Sequence, residues 1–139
     1  MFKYVIVILL FAGCTNQKTS VDVRLLEGYW EIDKVIAQNG DEKHYKFNQN
    51  IDYFEFTDSV NGYRKKLQPT LDGGFVTSKD IERFSVEIEN DSTKLFYKNA
   101  WSSWKETLIK AEKERLILVN KNGIQYVYRP YEKIQLTDE

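Results

Sequence analysis

From Leu25 onward the sequence runs in short stretches of alternating character cut by turn signals, and this regularity sharply limits what it can fold into. "GYWEIDKVI" sets Trp30 and Ile32 on one face and Tyr29, Glu31 and Asp33 on the other, the two-residue period of a half-buried strand. "IDYFEF" repeats it with Phe54 and Phe56 together. "DSVNG", "DGG", "NDS", "EKE" and "KNG" are turn signals, and they separate "YRKKLQPTL", "KLFYKN", "WKETLIKA", "RLILVN" and "IQYVYRP". "FVTSKDIERFSVEIEN" reads as one strand bulged near Lys79 and Asp80, or as two. It places Phe84, Val86 and Ile88 inward, with Glu82, Glu87 and Glu89 in polar settings. "NGDEKHYKFNQN" reads as a loop and is the longest irregular segment. No stretch carries the period of an amphipathic helix.

The expected fold is therefore all-β, with eight or nine antiparallel strands joined in sequence by short hairpins. Turns recurring at this spacing suit a sandwich or a barrel. A meander removes its edges most simply by closing into an up-and-down barrel, whose interior is either filled by side chains or holds one small ligand. Three tryptophans, nine tyrosines and eight phenylalanines with two prolines fit this class, because aromatic side chains suit pleated, half-buried surfaces.

Residues 1–13 read differently. Lys3 precedes the unbroken apolar run Tyr4–Phe11, then the small residues Ala12 and Gly13, then Cys14, the one cysteine of the chain. This is the order of a secretory signal, and its apolar run is too short to span a bilayer as a helix. "LFAGC" resembles the lipobox of bacterial lipoproteins. The resemblance implies a signal peptide at 1–13, cleavage before Cys14 and acylation of that residue by palmitate-type chains, with 14–24 as a polar tether. Thr15 stands where inner-membrane lipoproteins often carry aspartate, and "CTNQKTS" lacks an acidic surface-export cluster. The expected address is the outer membrane, on its periplasmic face. With one thiol, the folded part contains no disulfide.

Without residues 1–13 the chain carries 19 basic and 21 acidic residues, a charge of −2. That argues against a nucleic-acid partner, which calls for a basic face. About 126 residues remain, one domain's worth.

At "LEGYWEIDKV", Gly28-Tyr29-Trp30 resembles the G-x-W of the first strand of lipocalins, and "YVYRP" puts Arg129 near the end of the last strand. The resemblance covers about residues 25–131 and leaves 132–139 as a polar tail. It implies a lipocalin-like barrel in which Arg129 packs over Trp30 and closes the bottom. The short chain, without a C-terminal helix, looks more like the compact lipocalin-like lipoproteins of the Bacteroidetes than a typical secreted lipocalin.

Little in the sequence suggests catalysis. His44 is the only histidine, which excludes a site of several imidazoles. No G-x-S-x-G elbow or phosphate-cradling glycine loop is present. Glu87 and Glu89 share a strand face, as do Arg64 and Lys66 in "YRKK", and both pairs read as solvated faces. No metal, cofactor or enzymatic activity is expected. "WSSW" places Trp101 and Trp104 in or beside a hairpin connection, where one caps the barrel or both form an aromatic ledge. Whether it shares an end with "NGDEKHYKFNQN" depends on strand parity. "DSV" and "DST" resemble short Bacteroidetes O-glycosylation sites, which makes Ser59 and Ser92 candidates, although turn chemistry explains both.

Two functions follow as expectations. The first is a monomeric, non-catalytic module, anchored through Cys14, that holds a small apolar or amphipathic ligand against Phe54, Phe56, Phe84, Val86, Trp101 and Trp104. The alternative is a solid barrel whose surface contacts another envelope protein as scaffold or inhibitor.

Overall fold

The structure, a computed structural model, describes residue 13 and residues 21–133. The alternating stretches form ten strands. In chain order they are β1 (Gly28–Ile36), β2 (Glu42–His44), β3 (Ile51–Phe56), β4 (Asn61–Pro69) and β5 (Phe75–Thr77), then β6 (Glu82–Glu89), β7 (Ser92–Lys98), β8 (Ser103–Ala111), β9 (Leu116–Val119) and β10 (Gln125–Pro130). Apart from β2 and β5, the strands pair antiparallel in sequence, and β10 returns to β1. The result is a closed eight-stranded up-and-down barrel. Its closing seam runs from Trp30 opposite Pro130 to Ile36 opposite Gln125, with a bulge between Ile32 and Lys34.

The two short strands account for the irregular stretches. Leu67 of β4 pairs with Ile51 on one edge and Thr77 on the other, so β5 continues the edge that β6 occupies farther along. "FVTSKDIERFSVEIEN" is thus two strand segments on one edge, interrupted at 78–81. On β1, likewise, β2 and β3 share an edge. The stretch read as a loop therefore contains a short strand, and His44 sits in it with its ring 3.0 Å from Glu42.

Strand direction divides the barrel into two ends. The β3–β4, β6–β7 and β8–β9 turns lie at one end, where the chain enters through the 3-10 turn Val23–Leu26. The Asp22 carboxylate caps this turn by accepting the Arg24 N–H at 3.0 Å. Leu26 is fully buried, and its carbonyl accepts the Trp30 indole N–H at 2.9 Å. Arg24 lies 4.5 Å over the Phe56 ring, and a Glu27 carboxylate oxygen accepts the Phe56 N–H at 3.0 Å. These contacts plug the end.

Behind the plug, Phe84 meets Phe56 edge-on at 5.6 Å and Tyr97 at 5.8 Å. Leu95, Leu108, Leu116 and Leu118 complete the core. A Cβ on Gly62 would lie 2.4 Å from the Glu55 carbonyl and 2.7 Å from the Phe84 ring, so only glycine lets that ring pack this closely against β4. Ile88 shares the inward parity of Phe84 but is 71% exposed. β4 accompanies β6 only as far as Ser85, so the end of β6 overhangs the barrel rim.

A candidate ligand site at the barrel mouth

The connections at 37–50, 70–74, 99–102 and 120–124 lie at the opposite end, which is open. "NGDEKHYKFNQN" and "WSSW" therefore share the mouth. Beneath them lies a cavity of about 340 Å³, walled by Trp30, Ile32, Trp104, Tyr126 and Tyr128. Its deeper polar surface comes from Asp52, Arg64 and Glu106, while Lys66, Asn50 and Asn120 also line it.

Parity explains how these charges come to be inside. Asp52 has the same orientation as Phe54 and Phe56 and pairs with Lys66; Phe54 pairs with Arg64. Leu95 pairs with Glu106, and Tyr97 with Trp104. Asp52 thus takes the inward position one step nearer the mouth than Phe54, Glu106 the one beyond Leu108, and Arg64 the one beyond Gly62.

The interior charges form linked pairs. Arg64 donates from Nη1 to Glu106 Oε1 and from Nη2 to Glu82 Oε2, both at 2.9 Å. Its guanidinium lies 4.7 Å over the Tyr97 ring, and that ring stacks on Trp104 at 5.2 Å. Asp52 accepts from Lys66 Nζ at 2.9 Å and from the Tyr128 hydroxyl at 3.0 Å.

Burial works against the charge on Arg64, but Tyr97, Glu106, Glu82 and Asp52 outweigh it and hold its pKa well above the ordinary value. Burial, with Asp52 adding to it, pushes the Tyr128 hydroxyl far up, so it stays a donor to that carboxylate. Burial does the same to Tyr97, to which Glu106 adds. The Tyr97 hydroxyl and Arg64 Nε are sealed from solvent and make no hydrogen bond of normal geometry among the described residues.

The sequence candidates divide accordingly. Trp30 and Trp104 line the cavity. Phe54, Phe56 and Phe84 do not: they are buried in the plugged half, and Val86 packs against them. That corrects the expectation that they form the ligand surface, because they lie deeper than the layer of charges. Trp101 is 93% exposed at the β7–β8 turn.

The Trp30–Arg129 clasp is also corrected. Arg129 pairs in register with Glu31, which faces outward. It donates to Glu31 at 2.7 Å and Asp33 at 2.8 Å on the barrel exterior. The 3-10 turn closes the bottom instead. Ser59 is exposed in the β3–β4 turn, and Ser92 is the half-buried first residue of β7. Cys14 lies outside the described residues.

The sequence patterns do not single out Asp52, Glu106, Tyr126 or Tyr128, and Arg64 and Lys66 read there as a solvated face although they line the cavity. Their parity with Phe54, Trp104 and Ile32 marks them as inward, against the general preference of charged side chains for solvent. Arg64 is only 9% exposed.

A closed eight-stranded meander with one plugged end and one open, lined end defines the lipocalin class of barrel. Residues 26–138 match the family model of the lipocalin-like domain, and the chain belongs to that family. A lipocalin-like protein from Bacteroides uniformis ATCC 8492 is similar at 11% identity, over 77% of this chain and 99% of that one, with a TM-score of 0.48. An uncharacterized protein from Bacteroides eggerthii DSM 20697 is similar at 11% identity, over 76% and 98% respectively, with a TM-score of 0.46. No curated protein matches the chain.

Proposed function

We propose that this chain is a non-catalytic binding lipoprotein that holds one small amphipathic molecule in the mouth cavity. The observation that carries this reading is the cavity itself. Its aromatic walls and convergent polar groups are the make-up of small-molecule sites, and its size is near the lower end of their range of about 300–1,000 Å³. Charges at depth mean that the ligand enters polar end first, with its apolar part against Trp104 and Tyr126 nearer the mouth. A purely apolar ligand would strip water from Asp52, Arg64 and Glu106 without replacing it, which is unfavourable.

In the same reading, a lipid on Cys14 anchors a monomer to the periplasmic face of the outer membrane. The described chain enters at the plugged end, at Val21. Seven residue steps separate Cys14 from it and span at most about 25 Å, so the mouth faces away from the anchor. Native mass spectrometry of protein taken from its own membrane tests both parts. An acylated Cys14 and a releasable small molecule are expected. A bare thiol overturns the anchor, and protein that stays empty with every metabolite extract offered overturns the binding role.

One observation favours the alternative role as an interaction protein. Trp101 projects at the mouth, on the same end as the exposed Phe47 and Leu71, and tryptophan is enriched at interface hot spots. A stoichiometric envelope partner that co-purifies with the native protein and is lost on Trp101→Ala would support that role. Unchanged co-purification would remove it.

A further inference from the structure

The charged lining of the cavity narrows its ligand further, given the binding role proposed above. Two carboxylates, Asp52 and Glu106, line it together with two cations, Arg64 and Lys66. Each is already matched. Lys66 Nζ donates to Asp52 and Arg64 Nη1 to Glu106, both at 2.9 Å. The other outer nitrogen of Arg64 turns to Glu82, which lies outside the lining. No charge in the cavity is left for a ligand to neutralise.

A charged ligand is therefore at a disadvantage. Its ion loses hydration on entering, a cost that only a well-placed counter-charge offsets. An ammonium brings donors alone and a carboxylate brings acceptors alone. The first must compete with Lys66 for Asp52, and the second with Asp52 for Lys66.

The same pair nonetheless keeps capacity for hydrogen bonds. A carboxylate offers about four acceptor sites, and Asp52 accepts only from Lys66 and the Tyr128 hydroxyl among the described residues. The Lys66 ammonium has further N–H groups beyond the one given to Asp52. A spare acceptor and a spare donor thus stand side by side. A hydroxyl, which is both donor and acceptor, can bond each without parting them. It gains a charge-assisted hydrogen bond and carries no charge of its own.

We infer that the ligand is an uncharged alcohol on a body of one or two rings, whose hydroxyl donates to Asp52 and accepts from Lys66. Trp104 and Tyr126 take the ring face nearer the mouth. The remaining polar side chains at the rim, Asn50 and Asn120, are neutral amides and add no charge.

Four probes of similar shape test the inference by titration calorimetry on the full chain at low salt. They are 2-phenylethanol, its methyl ether, phenethylamine (protonated at neutral pH) and phenylacetate. The alcohol should bind at least about tenfold more tightly than either ion, and several-fold more tightly than the ether, which cannot donate. Two substitutions should then redirect the preference in opposite ways. Lys66→Met alters a largely exposed side chain and leaves Asp52 unmatched, so phenethylamine should gain several-fold and the alcohol should weaken. Asp52→Asn keeps the side-chain shape and leaves Lys66 unmatched, so phenylacetate should gain instead.

If either ion or the ether matches the alcohol on the unaltered protein, the hydroxyl assignment is wrong and the cavity remains a binding site. Probes that bind but ignore both substitutions sit elsewhere on the protein, which also overturns the assignment. If no probe binds folded protein, the binding role falls with it.

Discussion

The plugged half and the open half of this barrel are built from the same eight strands, with the same alternation, and are filled in opposite ways. Toward the plug, inward positions carry Phe54, Phe56, Phe84, Leu95 and Leu108, all buried and in mutual contact. Toward the mouth, the next inward positions on β3, β4 and β8 carry Asp52, Arg64 and Glu106. One half meets the close-packing demanded of a stable core. The other places ionic groups where apolar ones of similar size would cost the fold nothing, since buried ion pairs rarely improve on well-packed hydrophobic replacements. On the proposed function, the contrast separates stability from recognition along the barrel axis: the plugged half holds the fold and the open half takes the ligand.

Removing an aromatic from the plugged half should have the largest effect on stability. Phe84 contacts Phe54, Phe56 and Tyr97 and is flanked by Gly62. Phe84→Ala is expected to cost about 4 kcal/mol, through lost burial and the void left behind, as measured by urea unfolding. A loss below about 1 kcal/mol would mean that the plugged half is not the folding core, and the division between halves would fail.

A smaller effect is expected in the open half, and of a different kind. Arg64→Met leaves Glu106 and Glu82 without their shared cation and should cost about 3 kcal/mol. Adding Glu106→Leu removes the stranded carboxylate, so the double variant should recover most of that stability in the same unfolding experiment. If the double variant stays as unstable as the single one, Arg64 is a structural strut and the charged layer belongs to the fold.

How much of this could be read from the sequence follows from what each feature depends on. Closure and strand count depend on alternation and turn chemistry, both local, so the barrel was legible in segments such as "GYWEIDKVI" and "IDYFEF". The plug was not: it needs Leu26, Trp30, Arg24 and Phe56 to meet, and no short-range pattern brings them together. The charged layer was half legible. Arg64 and Lys66 were set on one face correctly, but which face points inward depends on Phe54 across the β3–β4 pairing, a register that a single strand does not contain. Ile88 shows the converse, an inward parity left in solvent because its neighbour strand ends first.

Arg129 makes the smallest expected change and the sharpest test of how the barrel closes. Its side chain is about a third exposed and pairs with Glu31 and Asp33 outside the wall, not with Trp30 within. Those two carboxylates, Glu31 first, raise its pKa and keep it charged. An outward, partly solvated pair is screened and contributes little. Arg129→Leu should therefore lower stability by about 0.5 kcal/mol, less in high salt. It should leave the emission of Trp30 unchanged in a Trp101→Phe, Trp104→Phe background, because the indole's polar contact is the Leu26 carbonyl. A shift in that emission would put the arginine on the tryptophan after all, and the closure would no longer rest on the 3-10 turn alone among the described residues.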